Sequence, residues 1–182
     1  SPLAIDIITP KLFQKNPTPN IFESLNMVNG VRPQMQCNVC NTGDIHINGM
    51  EGPYTMIMID GMPIVSALGS VYGLMGIPNS IIQRIEIQKG PASTLYGSEA
   101  VGGLINIITK SAANSPIFSF DVFGTSYQEL NVDASVKYKL GNRLTGLFSG
   151  NYFNFDKRWD VNHDNFTDVT LQNRIAGFNK LS

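Results

Sequence analysis

Alternating apolar and polar side chains are the strongest pattern in this chain. In Arg84-Ile85-Glu86-Ile87-Gln88-Lys89 isoleucine falls at alternate positions, which predicts a half-buried strand. Gly90-Pro91 stops it, because proline offers no N–H to a ladder and glycine accepts turn dihedrals. A second strand is predicted over residues 104–109, after Gly102-Gly103. Gly90, Gly97, Gly102 and Gly103 fall within fourteen residues, so the backbone there must turn tightly or be closely approached.

Upstream, residues 4–9 alternate and are predicted to form a strand closed by Pro10. Residues 16–20 hold two prolines and read as a linker. Asn20 is placed to cap a helix, with Glu23 completing a capping box. Phe22, Leu25 and Val28 share one face of that helix, and Gly30 ends it. Residues 35–43 read as a loop and 44–48 as a strand. Gly52-Pro53 then turns the chain, and residues 55–60 are expected to pair back on 44–48 as a hairpin. Residues 64–77 read as loop, and 78–82 as one helical turn.

A polar, small stretch at residues 111–116 marks a predicted boundary, giving domains 1–112 and 113–182. Beyond it Leu130, Val132, Ala134, Val136, Tyr138 and Leu140 alternate with Asn131, Asp133, Ser135, Lys137 and Lys139. Eleven residues of strict alternation are the length of a tilted strand crossing a bilayer. Phe118, Phe120 and Val122 continue the pattern before it; residues 144–155 and 169–179 continue it less cleanly afterwards. Gly141-Asn142 reads as a tight turn and 156–168 as a long polar loop. A soluble β-meander would show the same alternation, so pattern alone leaves both readings open.

The runs RIEIQKGP, LYGSEAVGG and INIITK, with Met58-Ile59-Asp60-Gly61-Met62-Pro63 before them, resemble the plug domain of TonB-dependent outer-membrane receptors. Within that family the QRIEI, KGP and LYGSEAVGG runs look most like the vitamin B12 receptor branch. The resemblance implies an α+β plug, a small mixed sheet with short helices. Antiparallel transmembrane β-barrel strands would follow, with the barrel incomplete in this chain. Plugged transporters have about 22 strands, and an open sheet in lipid leaves two edges unpaired. The remaining strands are therefore expected from a further C-terminal part or from a second chain. The family's TonB-binding segment is not found here and would lie upstream of Ser1 or be missing. Implied partners are the TonB complex of the inner membrane, outer-membrane lipid and a surface lipoprotein. The implied location is the bacterial outer membrane.

Composition narrows the remaining chemistry. A net charge of −1 implies no general attraction to nucleic acid. With 42% hydrophobic and 15% charged residues the chain should fold. No apolar run is long enough for a transmembrane helix. His46 and His163 fall in different modules, and Ser93, Ser98 and Glu99 form no nucleophile elbow, so an enzyme is not expected. Asp60 reads as a turn-stabilising carboxylate rather than a catalytic acid.

Cys37 and Cys40 admit a disulfide, a soft-metal contact or a redox pair. All seven methionines lie between Met27 and Met75, near both cysteines and His46, as soft-metal ligands or as core filling. By resemblance, Gln36, Cys37, Asn38, Cys40 and Asn41 fall on one substrate-facing loop. Val65, Ser66, Ser70 and Tyr72 fall on another. Arg84, Glu86 and Lys89 match the ionic contacts that hold the plug in the barrel. The expected ligand is a transported metal complex, cobalamin or haem, with a siderophore, copper or an oligomer as alternatives. No resident cofactor is required.

Overall fold

A computed structural model describes residues 4–18, 20–37, 42–64, 74–92, 96–141 and 144–181. In chain order its first part runs β1 (Ala4–Ile8), α1 (Pro10–Lys15), α2 (Ile21–Ser24), β2 (Val31–Cys37), β3 (Thr42–Ile47), β4 (Thr55–Ile59), β5 (Met62–Pro63), β6 (Ile82–Lys89) and β7 (Gly103–Thr109). Five of these strands form a mixed sheet in the order β1-β6-β7-β4-β5, and β2 and β3 form a separate two-stranded ribbon. The two predicted strands are β6 and β7, paired antiparallel through Ile85↔Ile107 and Ile87↔Ile105.

The pleat sends Ile85, Ile87, Ile105 and Ile107 to one face, where all four are fully buried. That face packs on Ile21 and Leu25 and on Ile45 and Ile47 of the ribbon. Asn20 begins α2 as expected: its Oδ1 accepts the Glu23 N–H at 2.8 Å, and its Nδ2 donates to Glu23 Oε1 at 3.1 Å. The helix is a single turn, continued by a 3₁₀ turn over Leu25–Met27. Another 3₁₀ turn, Asn79–Ile81, fills the expected place before β6.

Three expectations are corrected. Residues 44–48 do not pair with 55–60: β3 pairs with β2, while β4 lies parallel to β7 and antiparallel to β5. Residues 35–37 and 42–43, expected as loop, belong to β2 and β3; the strand over residues 31–37 was hidden because Pro33 interrupts it and Gln34-Met35-Gln36 is too short a run to show a period. Pro10 does not merely close β1; it opens α1, where its missing N–H costs nothing.

The second part is one antiparallel sheet in the order β11-β10-β9-β8, built from β8 (Phe118–Gly124), β9 (Leu130–Leu140), β10 (Leu144–Phe155) and β11 (Gln172–Leu181). Its burial runs opposite to that of a soluble sheet. Asn131, Asp133, Ser135, Ser149 and Asn151 are buried. Phe118, Phe120, Val136, Phe148 and Ile175 are exposed, Ile175 at 82%. Leu147, with Phe178 beside it, joins the isoleucine core, so the mixed sheet rests against the inner face of the second sheet.

Candidate functional site: a polar seam between the two sheets

The register of β8–β11 stacks the inner face into rows. Asp121, Asp133, Asn151 and Ala176 share one row; Ser119, Ser135, Ser149 and Phe178 share the next. These groups mostly bond one another. Asn151 Nδ2 donates to Asn131 Oδ1 at 2.8 Å and to Asp133 Oδ1 at 2.7 Å. Ser149 Oγ donates to the Ala134 carbonyl at 3.2 Å, and Ser119 shares a hydroxyl hydrogen bond with Ser135. Arg174 Nη2 reaches Asn151 Oδ1 at 3.4 Å, and its guanidinium lies 5.2 Å from the Phe153 ring centre. Arg174 Nε and Nη1 and Asn79 Oδ1 are buried without a hydrogen-bond partner among the described residues.

Opposite these rows sits the Asn79–Ile81 turn. Ser80 Oγ is 3.5 Å from Ser149 Oγ. A cleft of about 410 Å³ opens there, lined by Phe13, Thr18, Asn79, Ser80, Lys110 and Asp133 among others.

Lower on the seam the contact is ionic. Asp60 (φ 50°) and Gly61 (φ 81°) turn the chain between β4 and β5. The Asp60 carboxylate accepts the Thr109 N–H at 2.8 Å, the Thr109 hydroxyl at 2.6 Å and Lys180 Nζ at 2.8 Å. Lys180 Nζ also donates to Thr109 Oγ1 at 2.7 Å. Four ion pairs are described, and Lys180–Asp60 alone among them joins the mixed sheet to the second sheet. Nearby, Lys137 Nζ donates to the carbonyls of Ala113 and Ser115, and Lys110 Nζ to that of Ser80.

Burial alone would raise the Asp60 carboxyl, but the bonds from Lys180 and Thr109 outweigh it and hold it below the ordinary carboxylate value. A depressed folded-state value means the node is intact above the ordinary carboxylate range and is lost as pH falls through that lowered value. Slow exchange of the Thr109 amide should therefore persist at pH 5. It should fail well below about 4, while Asp60→Asn should show no such acid transition.

The aspartate was legible as a turn residue, but its partner Lys180 lies 120 residues away and carries no local signal. The predicted ionic residues have described partners close by. Arg84 Nε lies 2.6 Å from Glu86 Oε1, and Lys89 Nζ lies 2.5 Å from Asp6 Oδ2. Glu86 Oε2 also accepts Asn106 Nδ2 at 3.4 Å. All these partners sit within the mixed sheet. Arg84 and Glu86 share the face that carries exposed Ile5 and Ile7, opposite the isoleucine core.

Of the predicted loop residues, Asn38, Cys40, Asn41, Val65, Ser66, Ser70 and Tyr72 lie outside the described residues, as do the side chains of Gln36 and Cys37. The backbone of Cys37 ends β2 opposite Thr42. The described methionines do not converge: Met56 and Met58 pack with Ala92, Ala100 and Leu104, Met75 lies in the main core, and Met62 is exposed. His46 Nε2 sits 3.0 Å from Asp44 Oδ1. No group of three or more His, Cys, Asp or Glu side chains is placed to hold a metal among the described residues.

Comparison with known proteins converges on one family. A family model described as TonB-dependent Receptor Plug Domain matches residues 1–104. The vitamin B12 transporter BtuB of Vibrio vulnificus is 30% identical over 78% of this chain and 24% of its own length. The ferric enterobactin receptor PirA of Pseudomonas aeruginosa is 29% identical over 94% of this chain and 25% of its own length. The two identities are so close that similarity does not single out the vitamin B12 branch. In fold, the ferric yersiniabactin uptake receptor FyuA of Yersinia pestis superposes with a TM-score of 0.75 at 18% identity, over 98% of this chain and 28% of its own. The chain spans about a quarter of the length of the curated relatives it matches.

Proposed function

The chain belongs to the TonB-dependent receptor plug family, and on that premise we propose that it is the plug and first wall strands of an outer-membrane uptake receptor. Such a receptor binds a scarce metal-bearing ligand and imports it with energy delivered through TonB. The observation that carries this reading is the inverted second sheet: apolar side chains face outward and a polar inner face is buried against the plug. In lipid that arrangement satisfies both surfaces, whereas in water the exposed row of Phe118, Phe120, Phe148 and Ile175 would aggregate.

The free margins of β8 and β11 require further strands, because unpaired backbone cannot face hydrocarbon. Those strands would cover Ile5 and Ile7 and meet Arg84 and Glu86 from the other side. The ligand is a metal complex: cobalamin and haem on the sequence motifs, ferric siderophores equally on the relatives. The segments 36–41 and 65–72, with Cys37, Cys40 and Tyr72, are its candidate contacts.

The test is uptake by the full-length receptor in cells stripped of their own receptors. Radiolabelled cyanocobalamin, haemin and ferric enterobactin are supplied with and without a protonophore. Energy-dependent accumulation of one of them is expected. Accumulation of none, or accumulation that survives loss of TonB, contradicts the reading.

A further inference from the structure

We propose that Asp60, Thr109 and Lys180 form a latch pinning the lower end of the plug to the wall, and that the passage opens above it, between the Asn79–Ile81 turn and the inner face of β9 and β10. The inference rests on the receptor reading and adds where the plug holds and where it parts.

The two halves of the seam are built differently. Below, one carboxylate takes three donors at 2.6–2.8 Å, two from the last residue of β7 and one from the wall. Leu147, directly opposite Lys180 in the ladder, adds a dry contact at the same level. Lys137 holds the connecting segment by the carbonyls of Ala113 and Ser115.

Above, the wall is self-sufficient. Asn151 bonds Asn131 and Asp133, Ser135 bonds Ser119, and Ser149 bonds a carbonyl of its neighbouring strand. Withdrawal of the plug would leave those bonds in place. The described losses are the 3.5 Å Ser80–Ser149 contact and the longer-range attraction between Glu23 of the plug and Arg174 of the wall. Withdrawal would also wet Arg174 Nε and Nη1 and Asn79 Oδ1, which have no described partner while the plug is seated. A cleft already separates Asn79 and Ser80 from β8 and from Asn131 and Asp133 of β9. A direct charge-assisted hydrogen bond resists exchange with water better than neutral bonds or a longer-range attraction, so the lower end holds while the upper end yields.

Leak of vancomycin across the outer membrane, read as the inhibitory concentration in cells carrying the full-length receptor, needs neither ligand nor TonB. Its failure is therefore distinct from failure of uptake. Lys180→Met is expected to raise the leak about tenfold, the effect of losing a bond to a charged group on an open population. Lys180→Arg keeps the charge and should stay close to the parent. Adding Ser80→Cys with Ser149→Cys to Lys180→Met and oxidising should seal the leak, and a reductant should reopen it. Heat-modifiable mobility checks that each variant is folded. A folded Lys180→Met receptor as tight as the parent overturns the latch, as does Lys180→Arg leaking equally. A leak that the oxidised cysteine pair leaves unchanged puts the passage elsewhere.

Discussion

Gly103→Ala should all but abolish the folded plug. The residue opens β7 at φ +148°, and an added Cβ would lie 2.4 Å from the Gln88 carbonyl oxygen and 3.0 Å from Ile47 Cδ1. The oxygen belongs to the neighbouring strand's backbone, so relief requires separating β6 from β7 or the ribbon from the sheet. Overpacking and φ strain together cost about 3–5 kcal/mol, a large share of a domain's stability. Gly97 makes the contrast: at φ +83° nothing lies within 4 Å of its added Cβ. Gly97→Ala should cost only the backbone strain of a conformation reserved for glycine (ψ −168°), about 1–3 kcal/mol. Hydrogen exchange of the β6–β7 amides in the full-length receptor measures both. Equal protection in the two variants would remove close approach as the reason for Gly103.

The second large effect concerns lipid. Val136 stands near the middle of β9 on the outward face, level with Phe118 and Phe148. Val136→Arg should destabilise the inserted receptor by about 2–4 kcal/mol, because a guanidinium there must leave hydrocarbon or drag water in. Leu140 faces the same way at the end of the strand. Leu140→Arg should cost about 0–1 kcal/mol, since depth governs the penalty. Urea titration of receptor folded in lipid vesicles gives both values. A sheet facing water on that side would show no dependence on depth.

These contrasts show what could be read from residues and what could not. Period-2 alternation is a local property, so β6, β7 and β9 were visible as strands, and the strict run 130–140 matches β9 residue for residue. The glycines were legible as a requirement without its cause. Gly90 and Gly97 adopt positive φ with open space around them, while Gly102 and Gly103 lie under neighbouring atoms. Pairing is not local. Thr55 to Ile59 could have turned back on residues 44–48, but β7, far along the chain, took that edge in parallel. The ribbon strand β2 escaped because Pro33 is acceptable in a two-stranded edge and leaves no period to detect.

The seam was legible in half. Its wall side was written as the polar set Asn131, Asp133 and Ser135 alternating with apolar neighbours. Which plug residues meet it was not, since Ser80 and Asp60 look like any turn residues until the fold sets them beside Ser149 and Lys180. Arg84 and Lys89 carried the family pattern, yet their described partners are Glu86 and Asp6 of their own sheet.

The direct test of the central claim is a nitroxide scan along β9 of the receptor in lipid vesicles, one position at a time from Leu130 to Leu140. Positions 132, 134 and 136 should collide with oxygen and be shielded from a water-soluble nickel chelate. Positions 131, 133 and 135 should be shielded from both by the plug. Equal access of the nickel chelate to Val136 and to the loop residue Val161 would show a sheet bathed in water on its outer side, and the account would fail.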